Sequence, residues 1–149
     1  MADLVEEGEG FRVAFERLAG ELAQRRLQTE LIGWLTTINP EGQPQASPIW
    51  FVWDGAELLL YSMTRAPRNG NIVDRPLVAF NLESGPEGED VVTAEGEARI
   101  VPDELSASAN PTFLAKYQGM FDAYGWTPEW LAQRYSVAIR IRPTRWRLG

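Results

Sequence analysis

The sequence predicts a mainly β fold, an antiparallel barrel of six strands with helices on its rim. Three observations carry that expectation. Apolar runs joined by tight turns follow one another directly from residue 31 to residue 61. No β-α-β rhythm, which would signal a parallel sheet, occurs anywhere in the chain. The chain closes on an alternating stretch, Val137, Ile139 and Ile141 against Ala138, Arg140 and Arg142, the period of a strand with one buried face.

The elements follow in order. Phe11, Phe15, Leu18 and Leu22 recur at spacings of four and three, the stripe of an amphipathic helix over roughly residues 9 to 27. Leu31 to Ile38 is a short apolar strand, Asn39-Pro40-Glu41-Gly42 a turn, and Gln43 to Trp53 a second strand. Asp54-Gly55 predicts a two-residue type I′ hairpin into a third strand, Glu57 to Tyr61. Asn71 to Asp74 completes a short helix ended by Arg75-Pro76, and Leu77 to Leu82 is a further buried strand. After a glycine-rich acidic loop, Asp90 to Val101 reads as strand five. Pro111 to Tyr124 carries the helical pattern of Phe113, Leu114, Tyr117 and Phe121, and Thr127-Pro128 is an N-cap followed by proline at the first helical position.

Composition narrows the function classes. With 149 residues, 44% of them hydrophobic, the chain has the size of one domain able to bury a core. We expect a single unit over 1–149, with a helical segment at 1–27 and a barrel at 28–149 that carries a helical insertion at about 103–134. No run of roughly 18 apolar residues suits a membrane span, and Met1 to Glu7 is acidic where a secretory signal would be basic, so the expected location is the cytoplasm with no membrane partner. A net charge of −7 argues against a nucleic-acid partner. The chain has no cysteine and no histidine, which removes thiolate chemistry, the commonest acid-base catalyst and the usual metal ligands. No metal site is expected, and in an enzyme of this composition a cofactor carries the chemistry.

One segment concentrates polar chemistry. Ser62-Met63-Thr64-Arg65-Ala66-Pro67-Arg68-Asn69-Gly70-Asn71 follows the third strand and brings together two hydroxyls, two guanidinium groups and amides. Hydroxyls and amides donate to phosphate oxygens, and arginine forks match their geometry. The segment therefore suits a phosphorylated ligand, and it equally suits a capped, solvated strand-to-helix connection.

Taken with the run Thr36 to Phe51, with Trp53-Asp54-Gly55, with Asn71-Ile72 and Pro76, and with Tyr135 to Arg145, this segment resembles the pyridoxamine 5′-phosphate oxidase-like split-barrel superfamily. Within it the chain is most similar to the branch that uses a flavin or the deazaflavin coenzyme F-420. The resemblance spans nearly everything from about residue 28 onward and rests on the ordered set of motifs.

The resemblance implies a six-stranded split barrel that forms a homodimer with two cofactor sites at the subunit interface. It implies that Ser62, Thr64, Arg65, Arg68 and Asn71 hold the cofactor phosphate, and that Pro48, Ile49 and Trp50 line the tricyclic ring. A core or interface role for Trp50 is the competing reading, and Trp53 reads as structural. The implied activity is hydride transfer from coenzyme F-420, or alternatively flavin mononucleotide (FMN), to a small organic acceptor; a non-catalytic flavin-binding protein is the second class. No catalytic side chain is required. Should one protonate the product, Tyr61, Tyr117, Tyr135 and Lys116 are available, with packing as the competing role of each. The C-terminal arginines or Arg25-Arg26 would serve the anionic tail of coenzyme F-420.

Overall fold

The computed structural model describes residue 17 and residues 19–149. The expected helical positions Phe11, Phe15 and Leu18 lie outside the described residues. Residues 19–29 are helical and are termed α1. There Ala23 and Leu27 are buried while Leu22 is 46% exposed, so the stripe expected through Leu22 is displaced by one position.

Seven strands form one antiparallel sheet: β1 (Gly33–Ile38), β2 (Pro44–Ile49), β3 (Val52–Trp53), β4 (Leu58–Ser62), β5 (Leu77–Asn81), β6 (Val92–Ile100) and β7 (Val137–Leu148), in the order β2-β1-β5-β6-β7-β4-β3. Helix α2 (Pro67–Asp74) connects β4 to β5; helices α3 (Pro111–Tyr124) and α4 (Pro128–Arg134) lie between β6 and β7. Among the described residues no helix is long and apolar enough to cross a membrane.

The expectation of six strands is corrected to seven, because the segment Gln43 to Trp53 breaks at Trp50-Phe51 into β2 and β3. The break closes the barrel. β2 and β3 occupy opposite edges of the sheet, which in a flat sheet would stand about 29 Å apart at the usual strand spacing. Three residue steps from Ile49 to Val52 reach at most about 11 Å. The sheet therefore curls, bringing the end of β2 near the start of β3 with no ladder between the two edges.

Phe51 satisfies its backbone outside the ladder. Its N–H donates to the Tyr117 hydroxyl at 2.7 Å, and its carbonyl accepts from Lys116 Nζ at 2.8 Å. Side chains of α3 thus replace the strand partner that the expected continuous strand would have supplied.

The Asp54-Gly55 expectation is also corrected. The register pairs Trp53 with Leu58, and beyond it the Asp54 N–H donates to the Glu57 carbonyl at 3.2 Å, so the connection turns over Gly55-Ala56 in place of a type I′ turn on Asp54-Gly55. Asp54 Oδ1 accepts from the N–H groups of Ala56 and Glu57 at 2.8 and 2.7 Å. Only Gly55 takes a positive φ, of 94°, whereas a type I′ turn needs two such residues.

Two cores share the sheet. Inside the barrel, Leu35, Phe51, Leu58, Leu60, Phe80, Ile139 and Ile141 pack with Ala23 and Leu27 of α1. On the outer face, Leu59, Tyr61 and Ala138 pack under Phe113, Tyr117 and Phe121 of α3 and Leu131 of α4. β4 is consequently buried on both faces, which explains its unbroken apolar run. Ala138, expected on a solvent face, is covered by the helices, and Arg140 and Arg142 beyond it meet acids: Glu104 at 2.7 Å and Glu97 at 2.9 Å.

Candidate functional site

The polar segment divides between a short loop and the first turns of α2. β4 ends at Ser62, and Pro67 at the helix start presets the backbone for α2. The N-cap residue Ala66 offers no side-chain acceptor, Pro67 has no N–H to satisfy, and the Asn69 N–H donates to the Ala66 carbonyl at 3.1 Å. Asn69 shapes the loop by donating from Nδ2 to the carbonyls of Met63 and Thr64 at 2.8 and 3.3 Å.

Three side chains at this loop have unmet chemistry, the first being Asn69 itself, whose buried Oδ1 has no hydrogen-bond partner among the described residues. Ser62 is 1% exposed, and its Oγ has no hydrogen-bond partner among the described residues. Arg68 donates to Ser47 Oγ at 2.9 Å and, among the described residues, pairs with no carboxylate. Burial lowers its pKa, the mark of a guanidinium held partly out of water. A half-buried cation and an orphaned buried hydroxyl together favour an anion.

Both residues line a cavity of about 430 Å³, within the usual range for small-molecule sites. Pro48, Ile49 and Trp50 form one wall. Phe113, Met120, Trp126, Leu131 and Tyr135 from α3, α4 and their flanks form the other. Trp50 stacks on Tyr117 with ring centroids 4.6 Å apart and meets Phe121 edge-on at 6.1 Å. It is therefore both a cavity wall and part of an aromatic cluster. The site has a polar end beside α2 and an aromatic end beside α3 and α4.

The remaining expected site residues stand elsewhere. Thr64 Oγ1 lies 2.9 Å from Ser136 Oγ on the exposed side of the loop. Arg65 is exposed and makes no hydrogen bond among the described residues. Asn71 is buried and donates to Thr37 Oγ1 at 3.0 Å and Gln45 Oε1 at 3.4 Å, fastening α2 to β1 and the neighbouring strand.

Of the four possible proton donors, three are committed. Tyr61 donates to the Leu105 carbonyl at 2.8 Å and accepts from Asn110 at 3.0 Å, and burial raises its pKa. The Tyr117 hydroxyl accepts from Phe51 N–H and has the carbonyls of Leu31 and Phe51 within 2.7 and 3.0 Å; burial pushes its pKa up. Lys116 donates to the carbonyls of Leu27 and Phe51 at 3.3 and 2.8 Å and sits 3.7 Å from the Phe51 ring centroid, with burial lowering its pKa to about 8. Tyr135 lines the cavity, and its hydroxyl makes no hydrogen bond among the described residues.

Ser47, Asn69 and Trp126 belong to the site without having been singled out in the sequence. Ser47 lies in a strand with no local sign that it faces α2, and Asn69 sits inside the polar segment but acts on its backbone. The arginines considered for an anionic tail are partly engaged: Arg26 binds Glu30 and donates to the Asp90 carbonyl at 2.7 Å, besides the Arg140 and Arg142 pairs above. Among the described residues no cluster of three or more acids, histidines or cysteines suits a metal ion.

Known proteins share the fold. An F420 reductase of known structure is 30% identical, with 83% of this chain and 94% of that chain covered and a TM-score of 0.60. A conserved hypothetical protein from Mycobacterium tuberculosis is 28% identical, covering 86% of this chain and 81% of its own, with a TM-score of 0.66. HutZ, the haem storage protein of Vibrio cholerae, shares the fold at 16% identity, with 84% of this chain and 90% of that chain covered and a TM-score of 0.59. The curated proteins contain no match. The family model described as pyridoxamine 5′-phosphate oxidase matches residues 19–148, nearly the whole barrel and both helices over its outer face, and the chain belongs to that family.

Proposed function

We propose that this protein is an oxidoreductase that binds a flavin-type coenzyme, coenzyme F-420 ahead of FMN, and reduces a small organic acceptor. The observation that carries the reading is one cavity with an anion-seeking end, Arg68 and Ser62, and an aromatic wall around Trp50. The likeness to an F420 reductase at 30% identity supports the choice of coenzyme.

The residues present fit such a group. Arg68 offers its charge to the phosphate, Ser47 holds the guanidinium in place, and the Ser62 hydroxyl gains the partner it lacks. Thr64 and Arg65 stand on the exposed side of the loop, outside the cavity lining, and contribute at most from its rim. Asn71 is a positioning residue, acting through Thr37 and Gln45. Pro48, Ile49 and Trp50 flank the ring, and the helices α3 and α4 keep water from it. When bound, the coenzyme supplies the hydride. Tyr61 and Tyr135 both line the cavity, and Tyr135, whose hydroxyl makes no hydrogen bond among the described residues, is the one to give a proton to the product. The homodimer belongs to the same proposal, with Val73 and Leu77, 68% and 65% exposed, as apolar surface for a second copy to cover.

Storage of a flavin without turnover is the second reading. It is favoured by the engagement of Tyr61, Tyr117 and Lys116 in structural hydrogen bonds. The test is a titration of purified, coenzyme-free protein with F-420 and with FMN, followed by ligand fluorescence, and then an acceptor screen with the reduced coenzyme. Tight F-420 binding and acceptor-dependent reoxidation support the proposal. Binding of neither ligand overturns it, and binding without acceptor-dependent reoxidation transfers it to storage.

A further inference from the structure

An aromatic ladder leaves the cavity and runs out to solvent. Trp50 and Trp126 both line the cavity with ring centroids 6.0 Å apart. Trp126 in turn stacks on Tyr124 at 4.8 Å and packs on Trp130 at 4.9 Å. The Arg134 guanidinium stands 5.0 Å from the Trp130 ring centroid. Tyr124 and Trp130 are 57% and 37% exposed, so the outer rings are not core.

The ladder is held firmly. Gly125 ends α3 in the left-handed conformation with φ 67°, and the next N–H, of Trp126, donates to the Phe121 carbonyl at 3.0 Å. One residue later Thr127 caps α4 by accepting from Trp130 N–H at 3.1 Å. Trp126 is thus pinned between two capped helix ends, and Trp130 and Arg134 follow one turn apart on α4.

We propose that Trp126, Trp130, Tyr124 and Arg134 form the platform that receives the hydride acceptor, and that this acceptor is a planar conjugated carbonyl compound bearing a carboxylate or sulfonate. The inference rests on the coenzyme reading of the adjoining cavity and adds the substrate class. Flat rings offer their faces to a flat π system. A guanidinium with its N–H groups unspent offers a fork to an anion: among the described residues Arg134 makes no hydrogen bond or ion pair, and Glu129, the acid on the same helix, is not paired with it. A cation at the end of α4 also suits the helix dipole, but that role needs no exposed tryptophan beneath it. On a chain of net charge −7, an anion has reason to settle only where a local arginine outweighs the field.

The test is calorimetric titration of wild type, Trp130→Ala, Arg134→Gln and Arg68→Ala with anthraquinone-2-sulfonate and with its neutral 2-hydroxymethyl analogue. Each variant is also titrated with F-420 and FMN and examined by sedimentation. Wild type binds the sulfonate more tightly than the neutral analogue. Arg134→Gln removes that preference, and Trp130→Ala weakens both probes by roughly tenfold, one charged or stacking contact's worth. Trp130→Ala leaves the affinity for both coenzymes unchanged and Arg134→Gln leaves that for FMN, which has no anionic tail, unchanged, whereas Arg68→Ala weakens the coenzyme and leaves the probes. Unaltered probe binding in both platform variants, no probe binding to wild type, or a change of oligomeric state in Trp130→Ala overturns the platform. Probe binding that depends on Arg134 in a protein that takes neither coenzyme contradicts the coenzyme reading instead.

Discussion

Arg68 donates to Ser47 Oγ at 2.9 Å, so the one described partner of this half-buried cation is a neutral hydroxyl on a neighbouring strand. A carboxylate in that place would have neutralised the site. Ser47 fixes the guanidinium and leaves its charge available to a ligand. We expect Ser47→Ala to weaken coenzyme binding severalfold while leaving the unfolding midpoint within about 0.5 kcal/mol of wild type in stability, as chemical denaturation would measure.

Ser62 is expected to separate binding from stability. Its buried Oγ lacks a partner, so Ser62→Ala removes an unsatisfied group and leaves the ligand-free protein as stable as wild type or more so. The same change takes a donor from the coenzyme phosphate. Thermal unfolding with and without ligand checks both halves: the ligand-induced rise in midpoint should shrink, and a destabilised ligand-free variant would show that Ser62 is engaged structurally.

Tyr117 closes the barrel. Its hydroxyl serves Phe51 N–H and the Leu31 carbonyl, both within 2.7 Å, and Tyr117→Phe leaves these backbone groups without that partner. The expected loss is about 1–3 kcal/mol for the buried Phe51 N–H left unpaired. Urea denaturation measures it, and a loss below about 0.5 kcal/mol would contradict the role.

Lys116 gives stability a pH dependence. Its folded pKa is lowered from 10.5 to about 8, chiefly by burial, while the carbonyls of Leu27 and Phe51 hold the proton that remains. Between those two values the unfolded chain binds more protons than the folded one, so this group makes stability rise with pH. The difference in stability between wild type and Lys116→Met should therefore move in favour of wild type from pH 8 to pH 10.5 and stay flat below about pH 7. A difference that is level across that window would contradict it.

Local signals were the legible ones. The bounds of α3 follow from Pro111 and the spacing of Phe113, Leu114, Tyr117 and Phe121; the start of α4 follows from Thr127-Pro128. The polar segment after β4 was likewise visible, because hydroxyls and arginines beside a strand end are a local pattern. What escaped depends on distant partners. The break at Trp50-Phe51 exists because Tyr117, 66 residues away, supplies the hydrogen bonds of a strand neighbour. Asp54-Gly55 carries a two-residue turn signal, yet the Asp54 carboxylate gathers two amides and the turn falls on Gly55-Ala56. Ser47 shows its importance only when the sheet curls and brings β2 against α2.

The most direct measurement is the affinity of purified protein for F-420 and FMN in wild type, Arg68→Ala and Arg65→Ala, read by quenching of ligand fluorescence. A coenzyme phosphate seated on Arg68 predicts that Arg68→Ala loses roughly 1.5–3 kcal/mol of binding, and that the exposed Arg65→Ala loses less. Equal affinity in wild type and Arg68→Ala would contradict the phosphate site, and with it the coenzyme assignment built on that cavity.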